Sequence, residues 1–236
     1  GQDNDTINEM RIVLLGKSGS GKSSLGNTLL GDSLLKAKTS PTSEASECQA
    51  VTKFINGRNI TVIDNPGFFD TTMDEDKLKK EIVRCMVECA PGPHAFFIVL
   101  KVNRYTAQED DVIKNMLGCF SEEALKFTTV VFTHGDELPE RMRIEEFVCQ
   151  SDRLSDLVKQ IFNTIDKMVM ENKGGCYTNE MLQRVEEEKK KGGDVVWRIL
   201  KILAGVAAGA LLGYFLDCSV ESFEIPVKTD QVIVCK

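Results

Sequence analysis

Apolar positions fall in short runs along the first two thirds of the chain, and the runs alternate with stretches of helical spacing. Arg11-Ile-Val-Leu-Leu15 is a run rich in β-branched residues that predicts a strand, and Ser24-Leu-Gly-Asn-Thr-Leu-Leu30 beyond it is helix-like. Cys48 to Ile55 and Ile60 to Asp64 are two more strand-like runs, joined by Asn56-Gly57, a strong hairpin signal. Residues 74–89 place Leu78, Ile82, Val83, Met86 and Val87 at helical spacing, and Pro91-Gly92-Pro93 stops that pattern. Ala95 to Leu100 predicts a buried strand, a helix is expected near 107–118, and Phe127 to Thr133 predicts a further strand. A helix-like segment at 141–149 and an amphipathic helix over 152–170 follow; Leu154, Leu157, Val158, Ile161, Phe162, Ile165, Met168 and Val169 share one face of the second. Strands alternating with helices imply an α/β fold with a mostly parallel sheet and ligands at the carboxyl ends of its strands.

The remaining stretches set the boundaries. Residues 1–9 form a polar lead-in expected to be disordered, and 32–47 are a mobile polar loop. Residues 10–173 make the main domain, and 174–193 are a charged helical extension whose Glu186–Lys191 run is a solvated face. Val195 to Leu216 is a long apolar stretch, near the length that spans a bilayer, with Trp197 and Tyr214 placed as interfacial aromatics. Gly205, Gly209 and Gly213 recur every four residues, a face on which helices approach closely. Residues 194–217 are therefore expected to be a transmembrane helix, a buried or interfacial helix being the alternative, and 218–236 a short tail across the membrane. Lys189–Lys191, Arg198 and Lys201 precede the span and would set the main domain on the cytosolic face of an intracellular membrane, held by a single-pass C-terminal anchor.

Composition narrows the class. A chain of 236 residues with 28% charged residues suits one ordinary domain with appendages. A net charge of -7 argues against a general nucleic-acid binder. Eight cysteines without a C-x-x-C pair fit reduced thiols rather than a disulfide or zinc framework. No signal peptide is legible, although the sequence begins at Gly1 rather than Met.

The chemistry concentrates between the first strand and the first helix. Gly16-Lys-Ser-Gly-Ser-Gly21-Lys22-Ser23 fits G-x-x-x-x-G-K-S, and its strand and helix flanks turn the string into a phosphate-binding loop. Backbone N–H groups of Gly16, Lys17, Ser18, Gly19, Ser20 and Gly21, with the helix N-terminus at Ser23 and Ser24, direct positive partial charge at an anion. Lys22 would reach the β- and γ-phosphates, and the Ser23 hydroxyl would ligate Mg²⁺. Asp64 ends a later strand, where a carboxylate can hold the cation through water, and Gly67 stands where an N–H can meet the γ-phosphate.

At these residues the chain resembles the GIMAP, or immune-associated nucleotide-binding (AIG-type), GTPases, relatives of septins and of chloroplast outer-envelope import GTPases. The matching pieces are Gly16–Ser24, Ser40-Pro41 and Glu47-Cys48-Gln49 around the polar loop, and Val62-Ile-Asp-Asn-Pro-Gly67. Ala90-Pro-Gly-Pro-His94, Arg104-Tyr-Thr106, Phe132-Thr-His-Gly-Asp136 and Tyr177-Thr-Asn-Glu180 complete a likeness spanning roughly residues 10–190. The resemblance implies a three-layer αβα G domain, guanine-nucleotide binding as GTP or GDP, dependence on Mg²⁺, and homo- or hetero-dimers formed through that domain. It also implies that His134 neighbours the base and that Asp136 or Glu137 accepts hydrogen bonds from guanine. His94 is read as orienting the turn before a strand rather than as a general base. Asp64-x-Pro-Gly with Thr-His-Gly-Asp, and no Arg-rich lid, argue against an ATP-using kinase or ATPase.

The chain also departs from that pattern. Ala45 falls where the family carries a Thr that meets Mg²⁺, with Thr42, Ser43 and Ser46 nearby as substitutes, and Asn65 stands where Thr is commoner. Phe68 and Phe69 follow Gly67 where switch GTPases use a polar residue to orient water, so intrinsic hydrolysis is expected to be slow. The resemblance implies a further strand and an Asn-containing base loop between the 141–149 and 152–170 helices, and neither is legible: either that stretch has been lost or the domain is naturally trimmed. The fold is thus expected to lack its last edge strand, leaving 127–133 as an apolar sheet edge. Three functions compete, a membrane-anchored guanine-nucleotide switch or scaffold, an efficient hydrolase, and a degenerate G domain serving as an interaction module; the first is favoured and the third is the alternative.

Overall fold

A computed structural model describes residues 8–36, 47–65, 74–101, 121–133, 154–173, 175–216 and 232–234. Its sheet has the strand order β2-β3-β1-β4-β5-β6. The strands are β1 (Glu9–Leu15), β2 (Gln49–Ile55), β3 (Arg58–Asp64), β4 (Ala95–Lys101), β5 (Thr128–Thr133) and β6 (Val232–Val234). Every neighbouring pair is parallel except β2 with β3. That exception is the hairpin the sequence predicts. Asn56 and Gly57 both take positive φ, 50° and 82°, as a tight two-residue turn between twisted strands requires.

Alternation along the central strands sorts the core into two layers. Ile12, Leu14, Phe97 and Val99 point to one face and pack with Leu25, Leu29 and Leu30 of α1 (Lys22–Leu30) and with Ile165 and Met168 of α4 (Leu154–Glu171). Val13, Leu15, Phe96 and Ile98 point to the other, against Ile82, Val83 and Met86 of α2 (Glu75–Cys89). A short helix α3 (Glu122–Leu125) leads into β5, its Ser121 hydroxyl accepting from the Ala124 N–H. The helices predicted at 107–118 and 141–149 lie outside the described residues, as do residues 1–7 of the lead-in expected over 1–9, whose last residue, Glu9, instead opens β1.

The C-terminal stretch corrects the expectation of a membrane anchor. Residues 195–216 form two helices, α6 (Val195–Ile202) and α7 (Ala208–Leu216), beyond α5 (Glu180–Lys190). At about 1.5 Å per residue neither comes near the roughly 30 Å of a bilayer's hydrocarbon core. Among the described residues no helix is long and apolar enough to cross a membrane. The apolar side chains are used inside the protein: Ile199, Leu211, Phe215 and Leu216 are fully buried in the layer that holds α2. Phe215 meets Phe96 of β4 edge to face, with ring centroids 5.9 Å apart. Arg198 turns back onto α5, where its Nε donates to Glu188 Oε2 at 3.0 Å and its Nη2 to the Glu188 carbonyl at 2.7 Å. Trp197 and Tyr214 remain half exposed, and the Lys201 ammonium lies 3.4 Å from the Trp197 ring centroid. With no spanning helix among the described residues, the transmembrane helix loses its basis, and with it the placement on an intracellular membrane by a single-pass anchor.

The tail corrects a second expectation. Val232–Val234 pairs in parallel with Val130–Phe132, so β5 is not the sheet's edge along that stretch. The strand beside β5 is Val232–Val234, about 80 residues on in sequence from the place where the family pattern puts it.

Candidate nucleotide-binding site

The glycine loop leaves the carboxyl end of β1 and enters α1 through Gly21, whose φ of 92° lets the chain turn sharply into the helix. Gly16 is packed too closely for any other residue: a Cβ there would lie 2.4 Å from the Val99 carbonyl oxygen. Lys17, Ser18 and Gly19 form the exposed crown, while Ser20 and Lys22 are buried beneath it. The Lys22 ammonium donates to the Gly16 and Lys17 carbonyls at 3.0 and 2.9 Å, bridging its own loop. The buried Ser20 hydroxyl has no hydrogen-bond partner among the described residues. Ser24 is exposed on the first turn of α1.

Ser23 and Asp64 come together across the gap between α1 and β3. The Ser23 hydroxyl donates to Asp64 Oδ2 at 2.5 Å, and Asp64 is buried at the end of its strand. The donors are a hydroxyl and a carboxylate, the hard oxygen ligands that Mg²⁺ prefers. Among the described residues no group of three or more His, Cys, Asp or Glu could hold a metal. A hydroxyl–carboxylate pair has the chemistry to contribute to the ligands of a hard cation. Asn65, one residue on, donates from its Nδ2 to the Leu14 carbonyl and fastens the start of the turn to β1.

Thr133 has a role that the sequence pattern does not assign to it. Its hydroxyl is within 2.7 Å of the Ser20 carbonyl and 3.3 Å of the Leu100 carbonyl, so the end of β5 is tied to the glycine loop. The signal was its position, last in the strand and one residue ahead of His134. Gly67, His134, Asp136 and Glu137 lie outside the described residues, as do Ala45, Phe68 and Phe69.

His94 sits elsewhere. Its Nδ1 accepts from the Arg11 backbone N–H at 2.9 Å, while the His94 backbone N–H donates to the Arg11 carbonyl at 2.8 Å. Arg11 Nε in turn donates to the Gly92 carbonyl at 2.7 Å. Burial, with the Arg11 charge second, lowers the imidazole pKa to about 4, so the ring is neutral near pH 7. It fixes the turn before β4. A cavity of about 720 Å³ lined by Phe127, Tyr177, Asn179, Arg184 and Tyr214, among others, contains none of the phosphate-loop residues.

A strand, a glycine loop and a helix carrying Lys22 and Ser23, with Asp64 reaching in from the next parallel strand, define a P-loop nucleotide-binding domain of the αβα class. Residues 10–195 match the model of the AIG1 family, and the chain belongs to that family. It is 30% identical over 211 residues to immune-associated nucleotide-binding protein 7 of Arabidopsis thaliana, covering 76% of this chain and 67% of that protein. To GTPase IMAP family member 8 of Homo sapiens it is 29% identical over 186 residues, covering 76% of this chain but 28% of that protein. The chain spans between 59% and 67% of the length of the first three plant relatives it matches. Among solved structures, Toc33 from Arabidopsis thaliana in complex with GDP and Mg²⁺ overlaps 69% of this chain and 62% of that one, at 22% identity and a TM-score of 0.42.

Proposed function

We propose that this chain is a guanine-nucleotide switch that binds GTP and GDP with Mg²⁺, hydrolyses GTP slowly and pairs through its G domain. The observation that carries the reading is the Ser23–Asp64 contact at 2.5 Å beside the glycine loop, with Lys22 already drawn across that loop. In this reading Lys22 exchanges its carbonyl partners for phosphate oxygens, and the N–H groups of Gly16–Ser24 face the same anion. Ser23 and Asp64 would hold Mg²⁺, Asp64 through water; the cation neutralises charge on the phosphates. Gly67, His134 and Asp136 or Glu137 enter by the family pattern, the first at the γ-phosphate and the others at the base. Thr133 supports the scheme, because its bond to Ser20 links the start of the base segment to the phosphate loop. Slow turnover rests on Ala45 and Phe68, neither of which can supply the polar contact that a rapid hydrolase needs. Pairing through the G domain rests on the family resemblance.

One observation favours a second reading, the degenerate G domain. The strand next to β5 is supplied by Val232–Val234, so it does not bring the family's base loop with it. Competition against labelled GDP separates the two. The switch reading expects unlabelled GDP and GTP to displace the label while ATP does not, and Lys22→Ala to weaken binding by about 100-fold or more through loss of a charge-assisted phosphate contact. Equal competition by ATP overturns the guanine assignment. Binding too weak to saturate, with the protein folded, establishes the degenerate domain instead.

A further inference from the structure

We propose that Cys48 and Cys85 are the two halves of a reversible disulfide, an oxidation site that ties the flank of the polar loop to α2. Their sulfurs lie 3.0 Å apart, against the ~2.05 Å of a covalent S–S bond. The backbone around them is already docked. The Cys48 N–H donates to Glu81 Oε2 at 2.6 Å, and Glu81, one turn before Cys85 on α2, also accepts from Arg84 at 2.9 Å. Closing the bond therefore calls for a small side-chain movement and no rearrangement of either element.

The two thiols have different surroundings, which assigns their order of reaction. Cys48 is half-buried and Cys85 is buried, with buried Cys89 one turn further along the helix. Burial pushes the Cys85 thiol up, and the neighbouring Cys48 adds to the shift; Cys89 is also pushed up by burial. Cys48 is the member of the group that solvent reaches, so it meets the oxidant first. With hydrogen peroxide, the Cys48 sulfur attacks one peroxide oxygen, giving a sulfenic acid and one water. The Cys85 sulfur then attacks the Cys48 sulfur; the S–O bond breaks, and the hydroxyl leaves with the Cys85 proton as a second water. Two thiols are oxidised to one disulfide and one peroxide is reduced to two waters.

The cysteines are 37 positions apart, so the bond would close a loop that contains β2, β3, Asp64 and Gly67. Both ends of the segment that carries Asp64 would then be held to one another. The inference rests on the sulfur geometry and not on the nucleotide reading, so each can fail without the other.

The test treats the full chain with hydrogen peroxide, caps the remaining thiols with iodoacetamide, and maps an unreduced digest by mass spectrometry. The expected product is a Cys48–Cys85 linked peptide, two hydrogens lighter than its separate parts and lost on treatment with dithiothreitol. The oxidised protein should also melt about 5 °C or more above the reduced one, the scale expected of a cross-link that constrains the unfolded chain. Cys48→Ser, a change at a half-buried position, should abolish both the linked peptide and the melting shift. Cys48 that stays a free thiol, proceeds to sulfinic acid, or links to a different cysteine overturns the proposal.

Discussion

The glycine-loop corner and the C-terminal helical layer are built on opposite principles. At the loop, backbone and short polar groups meet at close range: Gly16 lies against the Val99 carbonyl, Ser23 against Asp64, and Thr133 against Ser20. In the layer of α5, α6 and α7, large apolar side chains fill space, and Leu182, Val185, Ile199, Leu211 and Phe215 are fully buried. The first region is the one proposed to hold a ligand, and its contacts are polar and backbone ones. The second has no ligand chemistry among these buried side chains and covers one face of the sheet, so its value is stability. One molecule thus separates binding from folding, and perturbations should separate in the same way.

The largest expected effect is on the helical layer. Phe215→Ala removes a ring that stacks edge to face on Phe96 in a fully buried site. A loss of about 3–5 kcal/mol is expected, the range for deleting a buried aromatic side chain. Urea unfolding measures it. A loss below about 1 kcal/mol would mean that α7 is not a working part of the core.

A smaller effect belongs to His94, at the turn between the two regions. Its folded pKa of about 4 lies below the ordinary value of 6.5. The fold therefore favours the neutral ring. That contribution is fully present above pH 6.5 and is lost as pH falls toward 4. The shift corresponds to about 3 kcal/mol at most. Stability measured between pH 7 and 4 should fall more steeply in the wild type than in His94→Asn. Parallel profiles would remove His94 as the titrating group.

These outcomes bear on what the chain's sequence makes legible. The glycine loop, the Asn56-Gly57 hairpin and α2 are encoded by residues close together in sequence, and local rules read them. The sequence assigns Ser23 and Asp64 separate roles at a cation; their direct contact is seen only in the structure. The destination of residues 195–216 was not legible, because length and hydropathy describe a bilayer span and a packed helical pair equally well. What decided it was the open face presented by α2, Phe96 and Ile98, which no local pattern announces. The same holds for β6: Val232-Ile-Val234 is an ordinary apolar triplet until the uncovered edge of β5 gives it a partner. Thr133 stands inside the Phe132–Asp136 motif but the motif assigns it no role, because its role exists only through contact with the glycine loop.

Hydrogen–deuterium exchange of the full chain, with and without GDP and Mg²⁺, tests the division most directly. The account predicts slower exchange on adding nucleotide at residues 16–24 and near Asp64 and Thr133, with 195–216 unchanged. No change at 16–24, or protection confined to 195–216, would contradict it.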